Sequence, residues 1–292
     1  MPFAGAQVGL GFRNEIAPRN GLLRVREFTM AEIEHFVNPD DKSHANFHTV
    51  DKVVLKFFSN KNKLGSGKLE TLTIGEAVRS GMVSNETIGY FMARTQLFLL
   101  EIGIHEHKLR FRQHLQTEMA HYASDCWDAE IKTQYGWVEC VGHADRACYD
   151  LLCHAKATNV AQEASVRLAE PMKVEYGKPN FNKKILGKTF QKAQKNVIAH
   201  LEELGQELDQ LTAFEDAMAK DGKVAITVDG NTYEITPEMV TFKRQSKMQL
   251  EKKFTPHVIE PAFGIGRIVY CAMEHAFSQR KEDEQKVVKK KK

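Results

Sequence analysis

The dipeptides Asn20-Gly21 and Asp229-Gly230 constrain this chain most, because each sits between runs with strand character and a tight turn joins antiparallel neighbours. The first hairpin is expected as Gly11–Ile16 and Leu22–Phe28 around Ala17-Pro18-Arg19-Asn20-Gly21, where Pro followed by Asn-Gly is turn chemistry. The second is expected as Val224–Val228 and Asn231–Ile235, flanking a dipeptide that a type I′ turn favours. Thr29–Phe36 suits a strand or a short helix, and a strand is expected. Leu109–Gln113 and Gly136–Val141 read as further strands lining one site.

Helical signals fall between these runs. Thr73 and Glu76 have capping-box spacing, and Asn85 can cap a helix that runs through Leu100 and stops at Gly103. A helical stretch crosses Ile198, Leu201, Leu204 and Leu208, and an apolar helix follows Arg267 through Phe277. The organisation expected is a core part over 1–154 with a helical insertion near 38–108 and an inserted α/β subdomain over 155–254. A return to the core over 255–280 and a charged tail over 281–292 complete it.

Composition narrows the class. No apolar run approaches the roughly 18 residues of a membrane-spanning helix, so no membrane association is expected. The formal charge of +3 becomes −1 without Lys289–Lys292, so the body is nearly neutral. The N-terminus lacks a signal or transit pattern and leads to the expectation of a cytoplasmic chain. Five cysteines, an odd number in a chain of this size, are expected as thiols.

Five groupings could carry chemistry, the last two of them disfavoured. In strands, Arg13 would share a face with Glu15, and Arg24 with Arg26, giving a mostly cationic surface. Gly264-Ile265-Gly266-Arg267 places an arginine in the first turn of a helix, where the dipole disfavours it unless an anion is bound. The alternative there is a pairing with Glu260 or Glu274. Glu32, Glu34, Glu139 and Glu260 could hold Mg²⁺ or an ammonium group. His121, Cys126, Cys140, His143, Cys148, Cys153 and His154 invite a zinc reading, but no C-x₂-C pair or conventional finger spacing supports it. Cys153 with His154 as a nucleophilic pair is likewise disfavoured.

Phe12-Arg13-Asn14-Glu15, the run Arg24–Phe36 and the distant Val258–Arg267 resemble the second and third signature motifs of class II aminoacyl-tRNA synthetases. They do so in the form typical of the glycyl-tRNA synthetase family of eukaryotes and archaea. Phe111–His114, Glu118–Tyr122, Asp125–Asp128, Gly136–Glu139 and Ala144-Asp145-Arg146 match as well, so the resemblance covers nearly the whole chain. It is weakest in the subdomain and the tail.

The resemblance implies an α+β fold, an antiparallel sheet flanked by helices, and a two-step reaction using ATP, glycine and tRNA(Gly). By resemblance, Arg13 contacts the α-phosphate, Asn14 and Glu15 the nucleotide, and Arg24 with Val25 the adenine and ribose. Arg267 takes the γ-phosphate side, and Arg13 and Arg267 are the catalytic pair. Glu139 and Cys140 match positions at the ATP site, with Glu139 as the residue to hold Mg²⁺. Glu32 and Glu260 match the carboxylates that receive the glycine ammonium, with Pro261 and Ala262 in the same glycine-binding run.

Ala262 stands where the family usually has serine, so one hydroxyl hydrogen bond of about 1 kcal/mol is missing. Cys140 replaces a usual aliphatic residue. The family's first motif, which builds its homodimer, one upstream glycine-site acid and the C-terminal anticodon-binding domain are absent from these residues. A fragment or degenerate copy is therefore expected, active or derived from an active enzyme. The alternative is a non-catalytic truncated paralogue or fragment that keeps ATP or RNA binding in a regulatory or interaction role.

Overall fold

The computed structural model describes residues 2–228 and 230–279. In chain order the elements are β1 (Phe3–Phe12), β2 (Glu27–Val37), β3 (Val54–Phe58), α1 (Asn60–Leu64), β4 (Glu70–Thr73), α2 (Ile74–Arg79) and α3 (Glu86–Glu101). Then come β5 (Leu109–Gln113), β6 (Asp125–Thr133), β7 (Gly136–Asp145), α4 (Tyr149–Thr158), β8 (Ala164–Phe181), α5 (Lys183–Phe190), α6 (Gln194–Leu204) and α7 (Leu208–Asp221). The last are β9 (Val224–Val228), β10 (Asn231–Ile235), β11 (Val240–Phe254), β12 (His257–Gly264) and α8 (Ile265–Ala276). No helix among the described residues is long and apolar enough to cross a membrane.

The chain divides into two compact units, one running through Ala164 and resuming at Lys253, the other Ser165–Lys252. The first holds an eight-stranded sheet of order β1-β2-β12-β7-β6-β5-β3-β4 among the described residues. Its pairings are antiparallel except β3 with β5. One face is covered by α2, α3 and α8, and the fully buried Leu55, Phe57, Ile88, Met92, Phe111, Trp127 and Ile259 belong to that core. The opposite face carries the polar residues of β2, β5, β6, β7 and β12.

Local signals place several elements well. Thr73 and Glu76 form the capping box of α2, and Asn85 caps α3 by accepting from the Ile88 amide. Gly103, at φ 94°, follows the end of α3. The expected second hairpin coincides with β9 and β10. Its Asp229 lies outside the described residues, as does the expected tail over 281–292.

The first hairpin differs from expectation. Its strands are β1 and β2, and residues 13–26 form a long connection rather than strands closing on a tight turn. Asn20 and Gly21 still turn the chain, at φ 61° and 58°, within a connection pinned by Arg13 N–H to Arg26 O at 2.9 Å and Arg19 N–H to Arg24 O at 3.0 Å. The stretch Phe3–Gly11 is rich in Gly and Ala, weak strand formers, and pairs because the backbone of β2 offers a partner.

The stretch near 38–108, expected as a helical insertion, supplies β3 and β4 to the main sheet and α2 and α3 to its covering layer. The correction has a simple cause: β3 is short, and its pairing with β5 is parallel across an intervening helical crossover, which no local turn announces.

The second unit packs Leu186, Val197, Leu201, Phe214 and Ile235 together. Its expected single helical stretch is two helices, α6 and α7, separated at Gly205. The Gly177 amide donates to Gly205 O at 2.7 Å, and a Cβ on Gly205 would run into the Gly177 carbonyl.

Candidate active site

Strand register lays out the open face in rows. Ala262 on β12 stands opposite Glu32 on β2 and Gly142 on β7, and Gly142 stands opposite Asp128 on β6. With strands about 4.8 Å apart, the two carboxylates flank a low saddle of roughly 14 Å whose floor has only a methyl and a hydrogen for side chains. Along β12, Glu260 and Gly264 lie about 7 Å to either side of Ala262. These two directions lead to sites of opposite charge.

The Gly264 end is cationic. A cavity of about 280 Å³ is lined by Arg13, Glu15, Arg24, Val25, Glu139, Ala262 and Arg267, with the Phe28 ring on one wall. The Arg13 guanidinium lies 5.8 Å from the centre of that ring. Arg267, in the first turn of α8, donates from Nη1 to the Glu139 carbonyl at 2.8 Å and from Nε to the Leu23 carbonyl at 3.2 Å.

Neither Arg13 nor Arg267 makes a carboxylate ion pair among the described residues. The alternative partners expected for Arg267 are engaged elsewhere: Glu260 with Arg146 at 3.0 Å, and Glu274 with the Gln134 amide at 2.8 Å. Two guanidiniums thus face a cleft with no carboxylate bonded to either among the described residues, Glu139 acting on them only through space, an arrangement that suits an oligophosphate.

Glu139 reaches this cleft because of a bulge. The pairing of β6 with β7 slips between Ala129 and Glu130, so that Ala129 faces Val141 but Glu130 faces Glu139. Cys140 is the extra residue. Its thiol turns into the core, 3.7 Å from Cys271 Sγ, while the residue also borders the cavity. The same slip turns Glu139 onto the open face. There its side chain is open to the water of the cleft yet surrounded by protein, and its pKa is raised by desolvation and by Asp128, against the opposing pull of Arg267 and Arg13.

Asp128 is itself engaged, by Arg112 at 3.1 Å and by His114 Nε2 at 2.7 Å. The bond to Asp128 raises the His114 pKa, with burial opposing. His114, Cys126 and Asp128 also bring their ligand atoms within 4.8 Å of one another. Of the wider set considered for zinc, Cys140 and His143 point into the core instead. His143 is fully buried between the Thr95 hydroxyl at 2.8 Å and the Trp127 carbonyl at 3.1 Å. Cys153 and His154 lie on α4 rather than on a strand.

The Glu260 end is anionic. Glu260 is half-buried beside Glu32 and Glu34, and burial together with these neighbours raises its pKa while Arg146 opposes. Arg146 holds Glu260 at 3.0 Å and Asp150 at 2.7 Å, and its guanidinium stacks 4.3 Å from the centre of the Tyr122 ring.

Of the residues singled out from sequence, the register and cavity bring together Arg13, Glu15, Arg24, Val25, Glu32, Glu139, Glu260, Ala262 and Arg267. Asn14 is exposed and does not line the cavity. Pro261 is buried opposite His143 and faces the core. The expected shared face of Arg24 and Arg26 is replaced by an Arg24 to Glu15 ion pair at 3.2 Å and a bond from Arg26 Nε to the Glu15 carbonyl at 2.8 Å. Sequence reasoning left Gly142 and Asp128 without roles, and Arg146 appeared only inside a matched run. The alternation of β6, with Trp127, Ala129 and Ile131 buried, is the local signal that could have placed Asp128 on the open face.

Comparison with known proteins adds a second line. Residues 1–276 match the family described as the tRNA synthetase class II core domain (G, H, P, S and T). The chain is 52% identical over 286 residues to a glycine–tRNA ligase of Caenorhabditis elegans, covering 98% of this chain and 38% of that protein. It is 50% identical over 287 residues to one of Drosophila melanogaster, covering 98% and 37%, and 43% identical over 288 residues to one of Methanocaldococcus jannaschii, covering 97% and 50%. The chain thus spans half or less of the length of these relatives.

Proposed function

Because the chain belongs to the class II core domain family of the tRNA synthetases, we propose that it is the catalytic region of a glycine–tRNA ligase. In this reading it uses ATP to activate glycine and passes the glycyl group to the 3′ end of tRNA(Gly). The observation that carries the reading is the polarity of the open face: Arg13 and Arg267, free of direct ion pairs among the described residues, at one end, Glu260 at the other, and Glu32 flanking a nearly bare saddle between.

A glycine zwitterion lies across that polarity in one sense only. Its ammonium goes to Glu32 and Glu260, and its carboxylate points toward the arginines. ATP occupies the cavity at the cationic end, with the adenine region beside Phe28, Arg24 and Val25. The glycine carboxylate attacks the α-phosphorus, the bond to pyrophosphate breaks, and glycyl-adenylate forms. The terminal hydroxyl of the tRNA then attacks the glycyl carbonyl, AMP leaves, and the hydroxyl proton passes to the released phosphate or to water.

No protein nucleophile enters, so the chain contributes position and charge. Arg13 neutralises the transferring phosphoryl group and Arg267 the departing pyrophosphate. Glu139 fits a divalent cation, since its carboxylate is crowded by Asp128 and its charge is disfavoured by burial. Magnesium held there would supply further neutralisation of the phosphates. Discrimination against alanine falls to steric exclusion rather than to an attractive contact, because glycine has no side chain to read.

Glycine-dependent exchange of label between pyrophosphate and ATP tests the reading without any RNA. Exchange with glycine and none with alanine or without amino acid is the expected result. A folded, ATP-binding sample that shows no exchange with glycine would overturn it.

A further inference from the structure

On the flank of the open face, where β6 meets the segment that follows β5, three side chains of different chemistry converge. Cys126 and Asp128 are two apart on β6 and so share a face. His114 continues β5 and stands beside Cys126, its amide donating to the Cys126 carbonyl at 2.9 Å. The Cys126 sulfur, a carboxylate oxygen of Asp128 and a ring nitrogen of His114 lie within 4.8 Å of one another. No spacing along the chain announces this set, because its members meet only through the pairing of β5 with β6.

Tetrahedral zinc takes sulfur at about 2.3 Å and nitrogen or oxygen at about 2.0 Å, which sets its ligand atoms roughly 3.3–3.6 Å apart. Small side-chain movements bring the three atoms to that spacing. The frame is already fixed, since the His114 carbonyl also accepts from Asn60 Nδ2 at 2.7 Å. The surroundings favour a cation: burial, then Asp128, Asp125 and Glu139, push the Cys126 thiol pKa up, and a bound divalent ion relieves that crowding. Arg112 competes for Asp128 at 3.1 Å, but Glu118 at 3.0 Å and Glu130 at 3.1 Å hold it when Asp128 turns to a metal.

We propose that His114, Cys126 and Asp128 form a binding site for a zinc-class divalent cation, with three protein ligands and a fourth position open to water. His114 and Cys126 are only partly buried, which leaves that position accessible. The metal enters between His114 Nε2 and Asp128 Oδ2, now hydrogen-bonded at 2.7 Å, and the proton between them moves to Nδ1 or to water. The Cys126 thiol proton is released to water as the sulfur binds. Sulfur and imidazole select zinc over magnesium, whereas the carboxylate of Glu139 suits the harder ion.

Cobalt(II) added to the chelator-treated chain reads the site without glycine or ATP, because a thiolate ligand gives a near-ultraviolet charge-transfer band. The parent should show a saturating band that zinc displaces and magnesium in excess does not. Cys126→Ser should lose the band. His114→Ala and Asp128→Asn should each weaken cobalt binding at least about tenfold, a cost that even outer contacts carry at metal sites. Cys148→Ser and Cys153→Ser, which change the other thiols open to solvent, should leave the band unaltered. Circular dichroism matching the parent checks that each variant is folded.

Absence of the band in the parent, or its survival in Cys126→Ser, would overturn the proposal. A cobalt affinity unmoved in both folded His114→Ala and Asp128→Asn would also overturn it, because it would mark a lone thiol rather than a built site. Displacement by magnesium as readily as by zinc would do the same.

Discussion

Arg267 donates to the backbone carbonyl of Glu139 at 2.8 Å, so the guanidinium at the start of α8 is anchored on the strand bulge that aims the Glu139 side chain. The two opposite charges of the cleft share one support. The position of the cation therefore depends on the backbone carbonyls of Glu139 and Leu23, which hold the guanidinium without neutralising its charge.

Arg267→Ala should lower ATP affinity roughly 10- to 100-fold, as the loss of charge-assisted contacts worth about 1.5–3 kcal/mol would do. Arg267→Lys should recover little, because an ammonium cannot hold two carbonyls and face a phosphate in a planar fork. Equilibrium dialysis with ATP measures both. Equal affinity in all three proteins would remove Arg267 from the anion site.

Gly142→Ala is a steric test of the saddle. A Cβ at this position meets no atom within 4 Å, so the fold should accept it with an unchanged or slightly raised unfolding midpoint. The added methyl stands on the floor where glycine is placed, and glycine-dependent exchange should fall more than tenfold. Normal exchange would place the amino acid elsewhere.

Ala262→Ser adds a hydroxyl directly opposite Glu32. One further hydrogen bond of about 1 kcal/mol should tighten glycine about fivefold. The glycine concentration giving half-maximal exchange reads this, with ATP held saturating, and no shift would argue against contact between residue 262 and the substrate.

Glycine binding should weaken on acidification at a pH above the ordinary carboxylate range. Glu260 binds ammonium only when ionised, and burial with Glu32 and Glu34 beside it raises its pKa, so protonation sets in early as pH falls. Glycine affinity measured calorimetrically across pH 4 to 8 should show this limb in the parent and not in Glu260→Gln. The same raised pKa means that the folded state holds this proton more tightly than the unfolded one. Its contribution to stability is present at low pH and is lost as pH rises through the folded value.

His143 supplies the opposite sign. Burial holds its pKa down to about 4 from 6.5, and both ring nitrogens are engaged, with Nδ1 donating to Trp127 O and Nε2 accepting from Thr95. The unfolded chain takes up the proton first, so stability present above pH 6.5 is lost as pH falls toward 4, by about 3 kcal/mol. Urea unfolding between pH 7 and 4.5 should show that slope, reduced in His143→Gln. An unchanged slope would assign the loss to other groups.

Much of the local structure was legible. The caps of α2 and α3 and the β9–β10 hairpin depend on residues within a few positions of one another, and the hydrogen bonds that make them are written in short spacings. The acidic and cationic residues of the site were legible as types, through the match of their runs to a known family. Their division into opposite ends of one face was not, because Glu32 and Glu260, or Arg13 and Arg267, meet only when distant strands pair.

Cys140 and Glu139 show where the boundary lies. Side-chain alternation is a property of a single strand, so sequence by itself determined that neighbours would face opposite sides. Which of the two turned to the cleft was decided by a one-residue slip against β6, since a bulge exists only relative to a partner strand. Arg146 and Glu260 repeat the lesson: their charges are written in the chain, but β7 and β12 had to lie side by side before either could hold the other.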